Sequence, residues 1–253
     1  MELTNKVCWV VGASSGIGAA VAQELLSRGA RVAISARRQD KLDAVANGAM
    51  LAVPVDVTDK DSLQAAAARV RGDLGPIDLV VLCAGTWTQM DPLHWDPDAF
   101  EAMVGVNLVG MSNGLAAVLP EMLARGSGVI AGVASVAGYR GLSGAEGYGP
   151  TKAAQINLLE ALRISVASRG VRITTVCPGF VRTELTATNS FRMPFIIEAD
   201  AAARAICDGL ERDRTEIVFP APMAVLAKAA RLVPVSLWAS LWSRAARAKE
   251  ASA

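Results

Sequence analysis

The sequence predicts an α/β fold, a doubly wound parallel sheet of about seven strands with helices on both faces, and three observations predict it. Short continuous apolar runs alternate with segments of helical period along nearly the whole chain, the pattern of βα units. The apolar runs are unbroken rather than alternating with polar residues, as strands buried on both faces require. No Pro- or Gly-rich linker interrupts the series, so residues 1–220 read as one domain.

Val7–Val11 is the first strand, and it ends at Gly12. Ile17, Ala20, Val21 and Leu25 recur at helical spacing and mark a helix to Arg28. Arg31–Ser35 reads as the second strand, 39–47 as a short helix and Met50–Val55 as the third strand. An alanine-rich helix over Asp61–Arg71 leads to a fourth strand, Ile77–Leu82. One long helix is expected over Asp98–Leu123, then a fifth strand over Gly128–Ala134. A helix over Tyr148–Arg169 precedes the sixth strand, Arg172–Cys177, and a helix over Ala199–Glu211 precedes the seventh, Glu216–Phe219.

With 253 residues, 52% hydrophobic and 19% charged, the chain can bury a sizeable core and has no long disordered composition. A net charge of +1 excludes a basic nucleic-acid binder. Cys8, Cys83, Cys177 and Cys207 lie far apart without a Cys-x-x-Cys pair, so no metal site is indicated. Buried free thiols in a reducing, cytoplasmic compartment are expected, since the N-terminus lacks the pattern of a signal peptide. No apolar run reaches the length of about 20 residues that a spanning helix needs.

Gly12-Ala13-Ser14-Ser15-Gly16-Ile17-Gly18 joins the first strand to the first helix. Small residues there let the backbone approach a pyrophosphate, which the helix N-terminus attracts, giving a Rossmann-type dinucleotide site. The same letters fit a hydrolase nucleophile elbow at Ser14, but the single histidine, His94, and the one strand that precedes residue 14 make a poor hydrolase. About twenty residues on, where a carboxylate would hold the ribose of NAD, stand Arg37 and Arg38. Two guanidiniums suit a 2′-phosphate, so NADP(H) is favoured over NAD(H).

Tyr148 and Lys152 lie four apart, with Ser135 thirteen positions upstream of the tyrosine. At that spacing the ammonium and the phenol share a helix face, and the ammonium is expected to lower the phenol pKa. Pro150, between them, then falls in the first helical turn.

Together these motifs resemble the short-chain dehydrogenase/reductase family over about residues 5–220. The glycine turn resembles the family's Thr-Gly-x-x-x-Gly-x-Gly with Val11 for threonine, and Cys83-Ala84-Gly85 its Asn-Ala-Gly with cysteine for asparagine. Ser15 stands where many NADP(H)-using members carry a basic residue. The resemblance implies that Ser135, Tyr148 and Lys152 are catalytic and that Asn107 helps to hold a relay water beside the lysine. It implies cofactor contacts at Gly12, Ser14, Ser15, Gly16, Ile17, Gly18, Arg37, Arg38, Asp56, Val57, Ala84, Gly85, Tyr148, Lys152, Pro178, Gly179, Val181 and Thr183. The activity implied is hydride transfer between NADP(H) and a carbonyl or alcohol, in a homo-oligomer (dimer or tetramer) joined through the long helices 98–123 and 148–169. A catalytically silent nucleotide-binding protein, or an isomerase using the same tyrosine, is the competing reading.

The loop from Leu185 to Ile197 carries Phe191, Met193, Phe195 and Ile196, and with Trp87 and Leu142 it is expected to shape a pocket for an apolar ketone or secondary alcohol. Residues 221–253 read as an amphipathic helical extension: Met223, Leu226, Ala230, Val233, Leu237 and Leu241 lie at helical spacing, with Trp238 and Trp242 adjoining and basic residues on the other side. The segment fits an interfacial helix in peripheral membrane contact through 221–250, a helix docked on protein, or a lid over the substrate entrance.

Overall fold

A computed structural model of the protein describes residues 1–189, 191–240 and 242. Among them seven parallel strands form one sheet in the order β3-β2-β1-β4-β5-β6-β9. β1 (Val7–Val11) pairs on one side with β2 (Arg31–Ser35) and on the other with β4 (Leu79–Leu82). β5 (Gly128–Val133), β6 (Val171–Pro178) and β9 (Glu216–Phe219) extend the sheet from β4. The order of winding reverses between β1 and β4, and a crevice opens there at the carboxyl ends of the strands.

Side chains of β1 alternate between two cores. Cys8 and Val10 point into a layer with Leu25 of α1 (Gly16–Ser27) and Leu210 of α8 (Ala199–Glu211). Val7, Trp9 and Val11 point into the opposite layer with Leu63 of α3 (Lys60–Leu74), Leu115 of α5 (Gly110–Arg125) and Leu159 of α6 (Tyr148–Ser165). Full burial of each such side chain contributes roughly 1.5–3 kcal/mol. Trp9 is wholly buried, and its indole N–H donates to Ser35 Oγ at 2.9 Å, so no polar atom of the ring is orphaned.

The elements depart from the sequence expectation in four places. The ladder of β3 covers only Leu51–Ala52, because Pro54 has no N–H, although Val53 N and Val55 N still donate to Ile34 and Ala36. The expected single helix over 98–123 is three pieces: α4 (Pro97–Val104), a π-helical turn (Gly105–Val109) and α5. Taken as one rod, Pro97–Arg125 is, among the described residues, long and apolar enough to cross a membrane by length and composition, contrary to expectation. The most apolar stretch of that rod is 44% buried inside the protein. The stretch after β6 holds a small separate ladder of β7 (Val181–Arg182) and β8 (Ile197–Glu198), with α7 (Glu184–Ala187) between them. α2 (Gln39–Ala46) follows β2 as expected, and α9 (Ala221–Leu232) follows β9.

Candidate active site

A cleft of about 670 Å³ runs along the carboxyl edge of the sheet. The glycine turn forms its floor. Gly12 has φ +92°, and a Cβ there would lie 2.4 Å from the Ala84 nitrogen; a Cβ on Gly18 would lie 2.1 Å from the Gly12 oxygen. Only glycine lets β1, α1 and the end of β4 meet this closely. Ser15 caps α1 without a side-chain capping bond, so the first-turn N–H groups remain open to an anion. These features fit a pyrophosphate.

At one end the cleft is cationic. Arg37 and Arg38, both exposed, follow β2. Arg38 Nη2 reaches Ser14 Oγ and Glu184 Oε2, each at 3.3 Å. The other oxygen of Glu184 accepts from Lys41 Nζ at 2.6 Å, and its carboxyl is held below the usual range by Lys41 first and then Arg38. Asp56, at the expected place after β3, accepts from the Thr58 N–H at 2.9 Å and the Thr58 hydroxyl at 2.7 Å, which hold its carboxyl low.

The other end holds Ser135, Tyr148 and Lys152. Ser135 leaves β5 and caps a 3₁₀ turn (Val136–Gly138), accepting from Ala137 N at 3.1 Å and donating to the Pro178 oxygen at 3.3 Å. Tyr148 opens α6, with Pro150 inside the first turn, and Lys152 sits one turn further in. Lys152 is buried, its Nζ donating to the Val133 oxygen at 3.1 Å and lying 5.4 Å from the centre of the Tyr148 ring. The expected lowering of the phenol by the ammonium is not what results. Desolvation in the cleft pushes Tyr148 up to about 12, opposed by hydrogen bonding with the Ser135 side chain. Burial also pulls Lys152 down to about 8, so spacing alone gave the wrong sign.

Every residue expected to be catalytic or to touch the cofactor lines this cleft except Asn107, whereas Trp87, Leu142, Phe191, Met193, Phe195 and Ile196, expected at the substrate pocket, are not part of its lining. Asn107 is wholly buried in the π-helical turn. Its amide accepts from Thr86 N at 2.8 Å and donates to Thr86 O at 3.1 Å and Thr151 Oγ1 at 3.0 Å, while its backbone oxygen accepts from Gln155 Nε2. Both amide N–H groups are thus used by protein acceptors, and Oδ1 accepts one bond of the two it can take. It still stands beside the lysine: a Cβ on Gly85 would lie 3.5 Å from Asn107 Oδ1 and 3.6 Å from Lys152 Nζ.

Trp87 packs edge-on against Tyr148, with ring centres 5.4 Å apart, and its indole N–H donates to Asn189 Oδ1 at 2.9 Å. Of the expected apolar loop, Leu185 lines the cleft, while Phe191 and Phe195 are substantially exposed. Sequence reasoning missed Cys83, Thr86, Glu184 and Thr186 as lining residues, and Lys41 behind Glu184. His94 is an exposed loop residue paired with Asp91 at 2.8 Å.

The C-terminal helix docks on the segment that joins Ser135 to Tyr148. Glu216 accepts from the Tyr139 hydroxyl and from Lys228 Nζ, both at 2.5 Å, and Arg231 lies 5.2 Å over the Tyr139 ring. Arg140 donates to the Val233 oxygen at 2.7 Å, and the Trp238 indole to the Gly141 oxygen at 2.8 Å. Lys228 and Arg231, expected on the side away from the apolar face, remain exposed while they reach this carboxylate and ring, the Lys228 side chain at 55%. Leu226, expected on the docking face, is 56% exposed. Leu241 and the basic residues Arg244, Arg247 and Lys249 lie outside the described residues.

The family model for short chain dehydrogenases matches residues 6–192. The chain belongs to the short-chain dehydrogenase/reductase family. An uncharacterized oxidoreductase of Myxococcus xanthus is 37% identical to this dehydrogenase/reductase over 245 residues, covering 94% of this chain and 96% of the relative. A short-chain dehydrogenase structure from Streptomyces avermitilis superposes with TM-score 0.82 at 26% identity, covering 97% and 98% of the two chains. An alcohol dehydrogenase from the archaeon Thermococcus sibiricus, complexed with 5-hydroxy-NADP, gives TM-score 0.77 at 27% identity over 85% and 95%. Membership makes the chain an oxidoreductase that exchanges hydride through a nicotinamide dinucleotide with a small molecule.

Proposed function

We propose that this dehydrogenase/reductase uses NADP(H) to interconvert an apolar ketone and its secondary alcohol. The observation that carries the reading is one cleft with Arg37 and Arg38 at one end and Ser135, Tyr148 and Lys152 at the other. The nicotinamide, when bound, gives or takes the hydride. The glycine turn would hold the pyrophosphate, and Asp56, Val57, Ala84 and Gly85 the adenosine side. Pro178, Gly179, Val181 and Thr183 would flank the nicotinamide.

Tyr148 would deliver its proton to the substrate oxygen during reduction. A phenol held up at about 12 is protonated at neutral pH, the state that reduction needs. Ser135 would turn its hydroxyl from the Pro178 oxygen to donate to the same substrate oxygen as charge develops there. Lys152 would place its ammonium beside phenol and ribose, and Asn107 would act by holding the Thr86 backbone and Thr151 in place. Leu185 and Trp87 would offer the substrate an apolar wall.

Consumption of NADPH across a ketone panel tests the reading; a protein that binds NADPH and turns over none of the panel would instead be the silent nucleotide binder. Replacing both Arg37 and Arg38 with alanine should weaken NADPH binding by about tenfold or more and leave NADH within about twofold, because only the 2′-phosphate loses its charged donors. Equal losses for both nucleotides would exclude those arginines as phosphate readers.

The partner surfaces are proposed separately. α9 presents Val225, Leu226 and Leu232 to solvent, the last 86% exposed, and Arg244, Arg247 and Lys249 follow in the sequence. An apolar face with a basic flank suits the headgroup region of an anionic membrane. The protein should therefore float with phosphatidylserine vesicles, and Leu226→Ser with Leu232→Ser should release it. Continued flotation of that variant would exclude the face. Exposed Val109 and Ile164 on the long helices are proposed to meet a second copy, which sedimentation would reveal as a dimer or tetramer.

A further inference from the structure

We infer that Glu184 competes with the dinucleotide's 2′-phosphate for Arg38 and Lys41, and that Lys41 is a further reader of that phosphate; the inference rests on the NADP(H) reading. Glu184 is the first residue of α7, 143 positions along the chain from Lys41 of α2. Thr183, just before it, lies against the glycine turn, so close that a Cβ on Gly16 would sit 3.0 Å from Thr183 Cγ2. This contact brings the Glu184 carboxylate over the cationic end. One oxygen takes Lys41 Nζ at 2.6 Å, and the other takes Arg38 Nη2 at 3.3 Å. The same guanidinium nitrogen reaches Ser14 Oγ at 3.3 Å.

Two cations from one helix start thus converge on a single anion that bridges them, and a hydroxyl of the glycine turn lies against one of the two. A phosphate monoester has the chemistry of that anion with more charge and one more oxygen, and it can engage the same donors. The carboxylate is held loosely. The side chains of Arg38, Lys41 and Glu184 are 48%, 36% and 57% exposed, and exposed pairs of this kind shift an equilibrium by at most about fivefold. A 2′-phosphate would displace the carboxylate and then face it as a like charge. NAD(H), with a hydroxyl at that position, would leave both ion pairs in place. Glu184 is therefore a device that lowers the preference for NADP(H), and Lys41 one that raises it.

Dissociation constants for NADPH and NADH, measured by nucleotide fluorescence, test this in wild type, Glu184→Gln, Lys41→Gln and the double variant. These are surface positions, and the thermal midpoint of each variant checks the fold. Glu184→Gln should tighten NADPH binding about threefold to fivefold and leave NADH within about twofold. Lys41→Gln should weaken NADPH about fivefold, and the gain from Glu184→Gln should shrink in the double variant. Unchanged or weaker NADPH binding in Glu184→Gln, or equal shifts for both nucleotides, overturns the role of Glu184. Unchanged NADPH binding in Lys41→Gln removes Lys41. Equal wild-type constants for the two nucleotides, insensitive to Arg38→Ala, sink the NADP(H) reading and this inference together. A clear wild-type preference for NADPH with a silent Glu184→Gln sinks this inference alone.

Discussion

Phenylalanine in place of Tyr148 should lower turnover about a thousandfold while NADPH binding stays within about twofold. The substitution removes one oxygen and leaves the ring, which keeps its edge contact with Trp87 at 5.4 Å and its face toward Lys152 at 5.4 Å. The wall of the cleft is therefore preserved, and the proposed proton donor is lost. The hydrogen bond lost with the phenol oxygen is the one it shares with the Ser135 side chain, so stability should change by no more than about 1 kcal/mol. Single-turnover reduction by a saturating NADPH complex separates the two effects. Turnover within about tenfold of wild type would exclude Tyr148 as the proton donor and move the reading toward Ser135 or a solvent path.

The parts of this site that were legible in the sequence are the local ones. The glycine turn is contiguous, and its conformational need follows from residue type: Gly12 has φ +92°, and neither Gly12 nor Gly18 has room for a side chain. The strands of the main sheet are continuous apolar runs because both faces are covered, and that pattern survives without knowledge of partners. What failed depends on the third dimension. A π-helical turn of five residues at Gly105–Val109 leaves the apolar period of a long helix almost unchanged, so Asn107 was placed on an ordinary helix. The β7 and β8 ladder has two residues in each strand, too few for any period to show. Glu184 meets Lys41 across 143 positions, and no local signal marks such a pair. The basic residues of α9 stay exposed as expected, but their partners, Glu216 for Lys228 and the Tyr139 ring for Arg231, come from other elements and leave no local signal. The sign of the Tyr148 shift was misread for the same reason, since spacing gives neighbours and not burial.

Lys152→Met supplies the sharpest separation of function from structure, because it should remove activity and raise relative stability at neutral pH. Lys152 is 3% exposed, and burial lowers its pKa from 10.5 to about 8. In the unfolded chain the same group stays protonated up to about 10.4. Between those values the unfolded state binds more protons than the native state, so wild-type stability rises with pH across the window from about 8 to 10.4. Below about pH 8 the buried charge costs about 3 kcal/mol, an order-of-magnitude figure from the same shift. Methionine has a similar unbranched stem and no charge, so its contribution does not vary over this range. It leaves the Val133 oxygen without the 3.1 Å bond from Nζ, which costs about 1–3 kcal/mol at every pH. That constant offset cancels when two pH values are compared. The stability of the variant relative to wild type should therefore fall by about 2–3 kcal/mol between pH 7 and pH 10 in urea unfolding. Turnover at pH 7 should fall about a hundredfold or more, and wild-type ketone reduction should decline as pH rises through about 8, where the ammonium loses its proton. A variant less stable than wild type by the same amount at both pH values would mean that the charge is not held at a cost, and that Lys152 belongs to the packing of α6 rather than to the chemistry. A lysine kept charged against burial, one turn behind the phenol, violates a local rule of folding at the place where a functional site is expected to do so.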